Sequence, residues 1–351
     1  MHLAGESAGL TKMGTAEQTA LLDDVQLTSK RIFDSISTEL SLVEEEFERQ
    51  ARSNIQVIAY LGEYLRGSGG KRVRPALTIL SNYAVGGDGS NYSSIRMATV
   101  MEFLHTATLV HDDVIDKAET RRNRPSINAQ FGNQTAVLMG DWLYMSAFET
   151  SLAERSLAVL DILTAVTRKM TEGELLQLTL LGRTDVTEEQ YFDVIARKTA
   201  YLFSACCEIG ALLGGADART QNMLRDYGMN LGIAFQLIDD LLDFTSSEDV
   251  LGKPAGADLL EGKVALPLIF LLQREPEMRS AIQTVIGDAS YQNVSRAALL
   301  EALEKTGALG IALQRAIEYA SAALASLEGL PDSPYAQVLS SIPAYIVERD
   351  R

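Results

Sequence analysis

Two short acidic motifs place carboxylates at a spacing suited to metal chemistry. Each reads DDxxD, the first at Asp112 to Asp116 and the second at Asp239 to Asp243. In a helix, residues four apart lie on one face, about 6 Å apart along the axis. Magnesium is usually held by one or two carboxylates together with substrate phosphates. The two motifs therefore predict a hard cation that is shared with phosphate oxygens.

The neighbours of these motifs argue against the commoner interpretation, which is an acidic, solvated helix face. Leu109 and Val110 precede the first motif, and Phe235, Leu237 and Ile238 precede the second. Carboxylates among apolar side chains are costly unless a cation or another partner compensates them. Two matching instances favour metal binding over a surface role.

Basic residues accompany both acidic motifs, and a further basic cluster precedes them. The candidate cations are Lys71, Arg74, Arg121, Arg122, Lys198, Lys253 and Lys263. The glycines at 67–70 and Pro75 predict a loop that delivers cations to the start of a helix, a favourable place for an anion. Lys198 lies in an apolar helical stretch, where it either snorkels or meets an anion. His105 shares a face with Asp112, although such a histidine is often an ordinary core residue.

The elements that must position these residues are helices. Apolar residues recur at three- and four-residue steps, and no proline occurs between Ser126 and Lys253. Helices are predicted at 21–52, 54–66, 93–116, 134–153, 157–181, 188–214 and 219–246. No segment alternates as a strand would, so no sheet is expected. The remainder, 265–351, is predicted as amphipathic helix broken at Pro276, Pro331, Pro334 and Pro343.

Composition narrows the class of protein. The chain has 351 residues, 46% of them hydrophobic, and a net charge of −16, which excludes a nucleic-acid partner. The longest apolar run, Val264 to Leu272, is too short to span a membrane, and no secretory signal is present. Adjacent Cys206 and Cys207 suggest buried thiols in a reducing compartment. We therefore expect a soluble, cytoplasmic, all-α protein with a flexible tail at 1–20 and one domain at 21–351.

The charges together imply a highly anionic ligand, and a diphosphate ester fits. If that ester is allylic, metal and cations would draw off pyrophosphate, and the carbocation left behind would need a dry, apolar cavity. A bundle of long helices around a central apolar cavity would provide one. No Ser-His-Asp, Cys-His or Walker motif competes with this interpretation.

The ordered set of motifs resembles the polyprenyl synthetase family, the trans-isoprenyl diphosphate synthases. The matching stretches are GGKRVRP at 69–75, HDDVID at 111–116, RR at 121–122, GD at 140–141, GELLQ at 173–177, KT at 198–199, FQLIDDLLD at 235–243 and GKPAGADLLEGK at 252–263. The resemblance implies an all-helical fold, a homodimer, and magnesium as cofactor. It also implies repeated transfer of an allylic prenyl group to isopentenyl diphosphate, with brief membrane contact when a greasy product leaves.

The resemblance also assigns roles to individual residues. The principal magnesium ligands would be Asp112, Asp116 and Asp239, supported by Asp113, Asp240 and Asp243. The allylic diphosphate would be held by Arg121, Lys198, Lys253 and Lys263. Isopentenyl diphosphate would be held by Lys71, Arg74, His105 and Arg122. Further substrate contacts would come from Thr199 and Gln236. Of these residues, the catalytic group would be Asp112, Asp116, Arg121, Lys198, Asp239 and Lys253.

Product length depends on the depth of the cavity below the first motif. Short-chain members tend to place aromatic residues where this chain has Ala107 and Thr108, so we expect a product in the hexa- to decaprenyl range. Phe148 is a candidate floor for the cavity, with ordinary core packing as the alternative. Other functions left open are a short-chain synthase, a class I terpene cyclase, a regulatory subunit of a heteromeric synthase, and a nucleotide pyrophosphohydrolase.

Overall fold

The structure is a computed structural model that describes residues 32–52, 55, 58–60, 72–121, 124–246 and 255–348. The predicted tail at 1–20, the glycine loop at 67–70 and most of the helix predicted at 54–66 lie outside the described residues. So do three predicted site residues, Lys71, Arg122 and Lys253.

Helices account for most of the described residues, as the sequence predicts. Those in the first part of the chain are α1 (Ser37–Gln50), α2 (Val73–Ala84), α3 (Tyr92–Ile115), α4 (Ile127–Phe131), α5 (Asn133–Leu152), α6 (Leu157–Leu180), α7 (Glu188–Ile195), α8 (Tyr201–Leu213) and α9 (Ala218–Thr245). Those that follow are α10 (Ala257–Leu260), α11 (Leu266–Arg274), α12 (Arg279–Asp288), α13 (Arg296–Lys305), α14 (Ala308–Ser326) and α15 (Pro334–Glu348), with a 3₁₀ turn at Pro276–Met278.

Side-chain caps explain why several of these helices begin where they do. Asn91 accepts a hydrogen bond from the Ser94 backbone N–H at 2.8 Å, and α3 starts at the next residue. Thr187 and Gln190 form a reciprocal capping box before α7. Asp217 accepts from the Thr220 N–H at 2.8 Å before α9. Each cap satisfies a backbone donor that the first turn leaves without an intrahelical partner.

The core is built around α3 and α9. Helix α3 packs against α2 and α5, and α9 packs against α8 and α14. Glycine permits the closest approaches: a Cβ added to Gly228 would lie 2.6 Å from the Phe203 carbonyl oxygen. A Cβ added to Gly140 would lie 2.2 Å from Nε2 of His111. Both distances are well inside van der Waals contact, so these helices depend on glycine to pack at this separation.

Two expectations about the segments between α3 and α8 are wrong. A two-residue antiparallel ladder forms after α3, pairing β1 (Thr120–Arg121) with β2 (Arg124–Pro125). Strands this short show no alternation that a sequence pattern could reveal. The helix predicted at 188–214 also contains a π-helical turn at Ala196–Ala200, between α7 and α8.

Pro343 does not break the last helix, contrary to prediction. It lies inside α15. Proline lacks the N–H that would bond the carbonyl four residues earlier, here that of Leu339. The Tyr227 hydroxyl donates to that carbonyl at 2.7 Å and so replaces the missing partner. Tertiary packing therefore satisfies the group that a proline inside a helix leaves without a partner.

The expectation of buried thiols is confirmed. Cys206 and Cys207 are free and buried. In the described residues, no helix is long and apolar enough to cross a membrane.

Candidate active site

A cavity of about 530 Å³ lies between α2, α3, α6, α7, α9 and α15. Its walls include side chains from both acidic motifs, from the π-helical turn and from the segment that follows α10. The predicted site residues that line it are Arg74, His105, Asp112, Asp116, Arg121, Lys198, Thr199, Gln236, Asp239, Asp240 and Lys263. The cavity thus gathers predicted site residues that are up to 189 positions apart, from Arg74 to Lys263 (263 − 74).

The aspartates of the first acidic motif fall into two groups according to where their side chains lie. Asp112 and Asp116 line the cavity, whereas Asp113 is 2% exposed and does not. Asp113 accepts hydrogen bonds on Oδ1 from Nε of Arg121 at 2.8 Å and from Nη2 at 2.6 Å. Asp113 therefore orients the Arg121 guanidinium, which itself faces the cavity.

Asp112 has the environment expected of a carboxylate that binds a metal ion. Its Oδ1 is buried and has no hydrogen-bond partner among the described residues. Burial raises the pKa of Asp112 to about 7, and the negative charges of Glu174 and Asp116 add to this effect. A buried carboxylate oxygen normally has a partner, and a divalent cation would supply one.

Lys263 brings a positive charge to the first acidic motif. Its Nζ lies 3.0 Å from Oδ2 of Asp116 and 2.6 Å from Oε2 of Glu261. Burial alone would lower the pKa of Lys263, but the two carboxylates raise it above its usual value. Lys263 therefore remains an ammonium cation beside Asp116 of the first motif.

The aspartates of the second acidic motif fall into two groups in the same way. Asp239 and Asp240 line the cavity, whereas Asp243 is 1% exposed and does not. Oδ2 of Asp243 accepts from the Asp258 N–H at 3.3 Å, and its carbonyl accepts from the Gly256 N–H at 2.8 Å. Asp243 therefore anchors the segment that carries Asp258 into the cavity wall.

The π-helical turn presents Lys198 and Thr199 to the cavity. Lys198 Nζ lies 2.8 Å from Oε1 of Glu174 and donates to Oε1 of Gln177 at 2.8 Å. Thr199 Oγ1 donates to Oε1 of Gln236 at 2.8 Å. Single π-helical turns within α-helices often occur at functional sites, because the extra residue redirects side chains.

Arg74 and His105 also line the cavity. The Arg74 guanidinium carbon lies 5.0 Å from the centroid of the Phe203 ring, a cation–π contact. Arg72 was not among the predicted site residues. Nη1 of Arg72 donates to Glu102 on α3 at 2.7 Å, and the same guanidinium donates to Glu44 on α1. Arg72 thus links α1 and α3 to the start of α2.

Several cavity residues were missed by the sequence analysis. They are Glu102, Met170, Glu174, Gln177, Tyr191 and Asp258. Glu174 and Gln177 belong to the GELLQ stretch, and Asp258 belongs to the stretch at 252–263, so motif membership could have flagged these three. Tyr191 carries no sequence signal, since it lies in an unremarkable amphipathic helix.

Two residues of the cavity wall bear on product length. Thr108 lines the cavity one turn before Asp112, and Met170 faces it from α6. Ala107 is fully buried, and it is not part of the cavity wall. Phe148 is also absent from the described lining and packs against the core, so its proposed role as a floor gains no support.

The donor set fits magnesium. Within the described residues, no three histidine, cysteine or acidic side chains converge into a ready-made metal cage. Magnesium, however, usually takes only one or two carboxylates from the protein and the rest from water and phosphate. Asp112, Asp116 and Asp239 on the walls of one cavity meet that requirement.

Comparison with known proteins identifies the family. The polyprenyl synthetase family model matches residues 55–303. Octaprenyl diphosphate synthase from Escherichia coli K12 is 41% identical over 303 residues, covering 86% of this chain and 93% of that protein. A short-chain isoprenyl diphosphate synthase from Methanothermobacter thermautotrophicus is 35% identical over 309 residues, covering 86% and 94%.

Solved structures agree with this result. The polyprenyl synthase from Caulobacter crescentus CB15, complexed with calcium and isoprenyl diphosphate, has a TM-score of 0.87 and 34% identity, covering 92% of this chain and 98% of that one. Decaprenyl diphosphate synthase from Rhodobacter capsulatus has a TM-score of 0.85 and 34% identity, covering 92% and 99%. The predicted all-α fold and transferase class are thereby confirmed. The chain belongs to the polyprenyl synthetase family.

Proposed function

We propose that this chain condenses an allylic prenyl diphosphate with isopentenyl diphosphate, repeatedly, to give a long all-trans polyprenyl diphosphate and pyrophosphate. One observation carries the proposal. Asp112, Asp116 and Asp239 line the same cavity as the small Thr108 and the apolar side chain of Met170. A diphosphate anchored at the carboxylates would extend its hydrocarbon tail toward Thr108 and Met170.

Each group in the cavity has a role in this reaction. Bound magnesium would neutralise the diphosphate and stabilise charge on the departing pyrophosphate. Arg121, Lys198 and Lys263 supply further positive charge at fixed positions. Apolar walls exclude water from the allylic carbocation, which would otherwise be quenched.

The second substrate would bind at a separate set of cavity residues. Arg74 and His105 would hold isopentenyl diphosphate, with its double bond directed at the allylic carbon. Attack by that double bond forms the new carbon–carbon bond, and a proton then leaves to the departing pyrophosphate. The cycle repeats on the lengthened product.

A long product is supported by the size of the residue below the first motif. Thr108 is small and lines the cavity, so no bulky ring blocks the path at that position. The 41% identical relative is named an octaprenyl diphosphate synthase, which agrees with the hexa- to decaprenyl range. The alternative is a short-chain synthase, because a relative of that name is 35% identical.

The purified chain incubated with farnesyl diphosphate, isopentenyl diphosphate and magnesium distinguishes the candidates. Linear hexa- to decaprenyl diphosphates, identified by mass spectrometry, support the proposal. Products that stop at geranylgeranyl diphosphate indicate a short-chain synthase. Cyclic hydrocarbon indicates a terpene cyclase, and no turnover by the chain alone indicates a regulatory subunit.

The metal assignment has its own test. Asp112→Ala and Asp239→Ala should each lower turnover by orders of magnitude while leaving the helical circular dichroism spectrum intact, since both remove a cavity carboxylate. Asp161→Ala provides the matched control, because Asp161 is exposed on α6 outside the cavity. Near-normal rates in either cavity variant would contradict the assignment.

A homodimer is also proposed. Large apolar side chains are exposed on the neighbouring helices α5 and α6: Leu138 is 68% exposed, Met145 62% and Leu175 60%. Apolar side chains grouped in this way commonly mark a protein interface. Light scattering should give twice the chain mass for the wild type and a smaller value for Leu138→Glu.

The two free thiols fit a reducing compartment, which supports a cytoplasmic location.

A further inference from the structure

A chain of buried and partly buried hydrogen bonds joins α7, the π-helical turn and α9 beside the second acidic motif. The Tyr191 hydroxyl donates to Oδ2 of Asp240 at 2.6 Å. Nε2 of Gln236 donates to Oδ1 of the same carboxylate at 2.8 Å. Thr199 Oγ1 donates to Oε1 of Gln236 at 2.8 Å. Four side chains thus form one continuous relay of donors and acceptors.

This arrangement gives Asp240 a different role from its neighbour Asp239. Each oxygen of Asp240 accepts a hydrogen bond from a protein side chain, and the residue is 7% exposed. Asp240 therefore serves as the centre of the relay. Because it accepts from Nε2 of Gln236, it fixes which end of that amide faces Thr199 and which faces the motif.

The amide of Gln236 needs such a restraint. The terminal torsion of a glutamine side chain has a broad energy profile, so packing alone does not select one orientation. The donor on Thr199 and the acceptor on Asp240 select it together. Asp240, in turn, is held from the far side by Tyr191, which is 6% exposed.

Tyr191 is well suited to this role. Its ring is buried in the core, which holds the hydroxyl at a fixed position. That hydroxyl lies 2.6 Å from Oδ2 of Asp240, within the normal range for an O–H···O hydrogen bond.

We propose that Tyr191 is a positioning residue for prenyl transfer: through Asp240, its hydroxyl holds Gln236 and Thr199 in place at the cavity wall. This inference rests on the proposed function. It adds a residue outside both acidic motifs and assigns Asp240 to orientation of its neighbours.

The first experiment compares Tyr191→Phe with Tyr227→Phe. Both changes delete one buried tyrosine hydroxyl, but that of Tyr227 bonds the Leu339 carbonyl, far along the chain from the relay. Tyr191→Phe should lower kcat by about ten- to a hundredfold, as small displacements of positioning groups do. The KM for isopentenyl diphosphate should stay within about twofold, because Arg74 and His105 lie outside the relay. Tyr227→Phe should lower the melting temperature with kcat unchanged.

A double-mutant cycle then tests whether Tyr191 acts through Gln236. In a Gln236→Ala background, Tyr191→Phe should cause little further loss, because the group that it positions is already absent. Independent losses that multiply in the double variant would overturn the proposal. A normal kcat in Tyr191→Phe would also overturn it.

A crystal structure of Tyr191→Phe separates this inference from the proposed function. The Gln236 amide should rotate or lie farther from Asp240 than the present 2.8 Å. An unchanged Gln236 would overturn the positioning role, whatever reaction the enzyme performs. Absence of prenyl transfer by the wild type would instead count against the proposed function.

Discussion

The ion pair between Lys198 and Glu174 allows a test in which one pair of substitutions restores stability but not activity. Nζ and Oε1 lie 2.8 Å apart, and the two side chains are 19% and 21% exposed. At this distance and an effective dielectric constant of about 20, the gross attraction is about 6 kcal/mol. Desolvation of both charges and the ordering of two flexible side chains offset most of it. A net coupling of about 1–3 kcal/mol should remain.

Lys198→Met should therefore lower the free energy of unfolding by about 2–3 kcal/mol, because it leaves the Glu174 carboxylate partly buried and without its cation. Glu174→Gln removes the negative charge and should cost less. The double variant should recover at least about 1 kcal/mol relative to Lys198→Met, since residue 174 is then neutral and no longer needs a cation. Urea unfolding followed by circular dichroism measures all three variants against the wild type.

Activity should not recover in the double variant. The ammonium group of Lys198 faces the cavity, and no other change replaces it at the diphosphate. Loss of one preorganised charge contact typically costs about 10²–10³ in rate. Steady-state assays should therefore show a similar deficit in kcat/KM for Lys198→Met and for the double variant.

Lys169→Met supplies the control. It breaks an ion pair with Glu172 on the same helix, where the nitrogen–oxygen distance is 3.4 Å and the side chains are 29% and 41% exposed. Its coupling should be below about 0.5 kcal/mol, as for other exposed pairs, with normal activity. A coupling this small for Lys198 and Glu174 would refute the energetic reasoning. Activity of Lys198→Met within threefold of the wild type would refute the role at the diphosphate.

Three further predictions concern other parts of the molecule. Burial raises the pKa of Cys206 to about 12 and also raises the pKa of Cys207. Iodoacetamide at pH 8 should therefore label neither thiol until denaturant is added, and rapid labelling of the native protein would contradict this. Gly228→Ala should lower the free energy of unfolding, measured by urea titration, by about 1–3 kcal/mol or more, because its Cβ would meet backbone 2.6 Å away. The control Gly310→Ala has nothing within 4 Å of its Cβ and should leave that free energy unchanged or raise it by up to about 1 kcal/mol. Thr108→Phe should shorten the product by narrowing the cavity, and an unchanged product distribution on mass spectrometry would exclude this site as the length determinant.

Much of the fold could be predicted because its signals are local. The segments predicted at 93–116, 134–153, 157–181 and 219–246 form helices that end within one residue of the expected positions. Apolar periodicity depends only on residues three and four apart, and caps such as Asn91 act over three residues. The two-residue ladder after α3 and the continuation of α15 through Pro343 escaped prediction. The first is too short to form a pattern, and the second depends on Tyr227, which is 112 residues away from the carbonyl it bonds.

The sequence by itself determined the chemistry that the site can perform. The four-residue spacing from Asp112 to Asp116 follows from helix geometry, and apolar neighbours beside carboxylates indicate a compensating cation whatever the fold. The resemblance, read from the order of the motifs, extended this to prenyl transfer.

Only the tertiary structure decided how the aspartates divide their work. Asp113 bonds Arg121 and Asp243 anchors the Asp258 segment, while Asp112 and Asp239 line the cavity. Adjacent residues on a helix point about 100° apart, but which of those directions is the cavity depends on the helices packed around them. Tyr191 was invisible in the sequence for the same reason, because its partner lies 49 residues away and is brought to it only by the packing of α7 against α9.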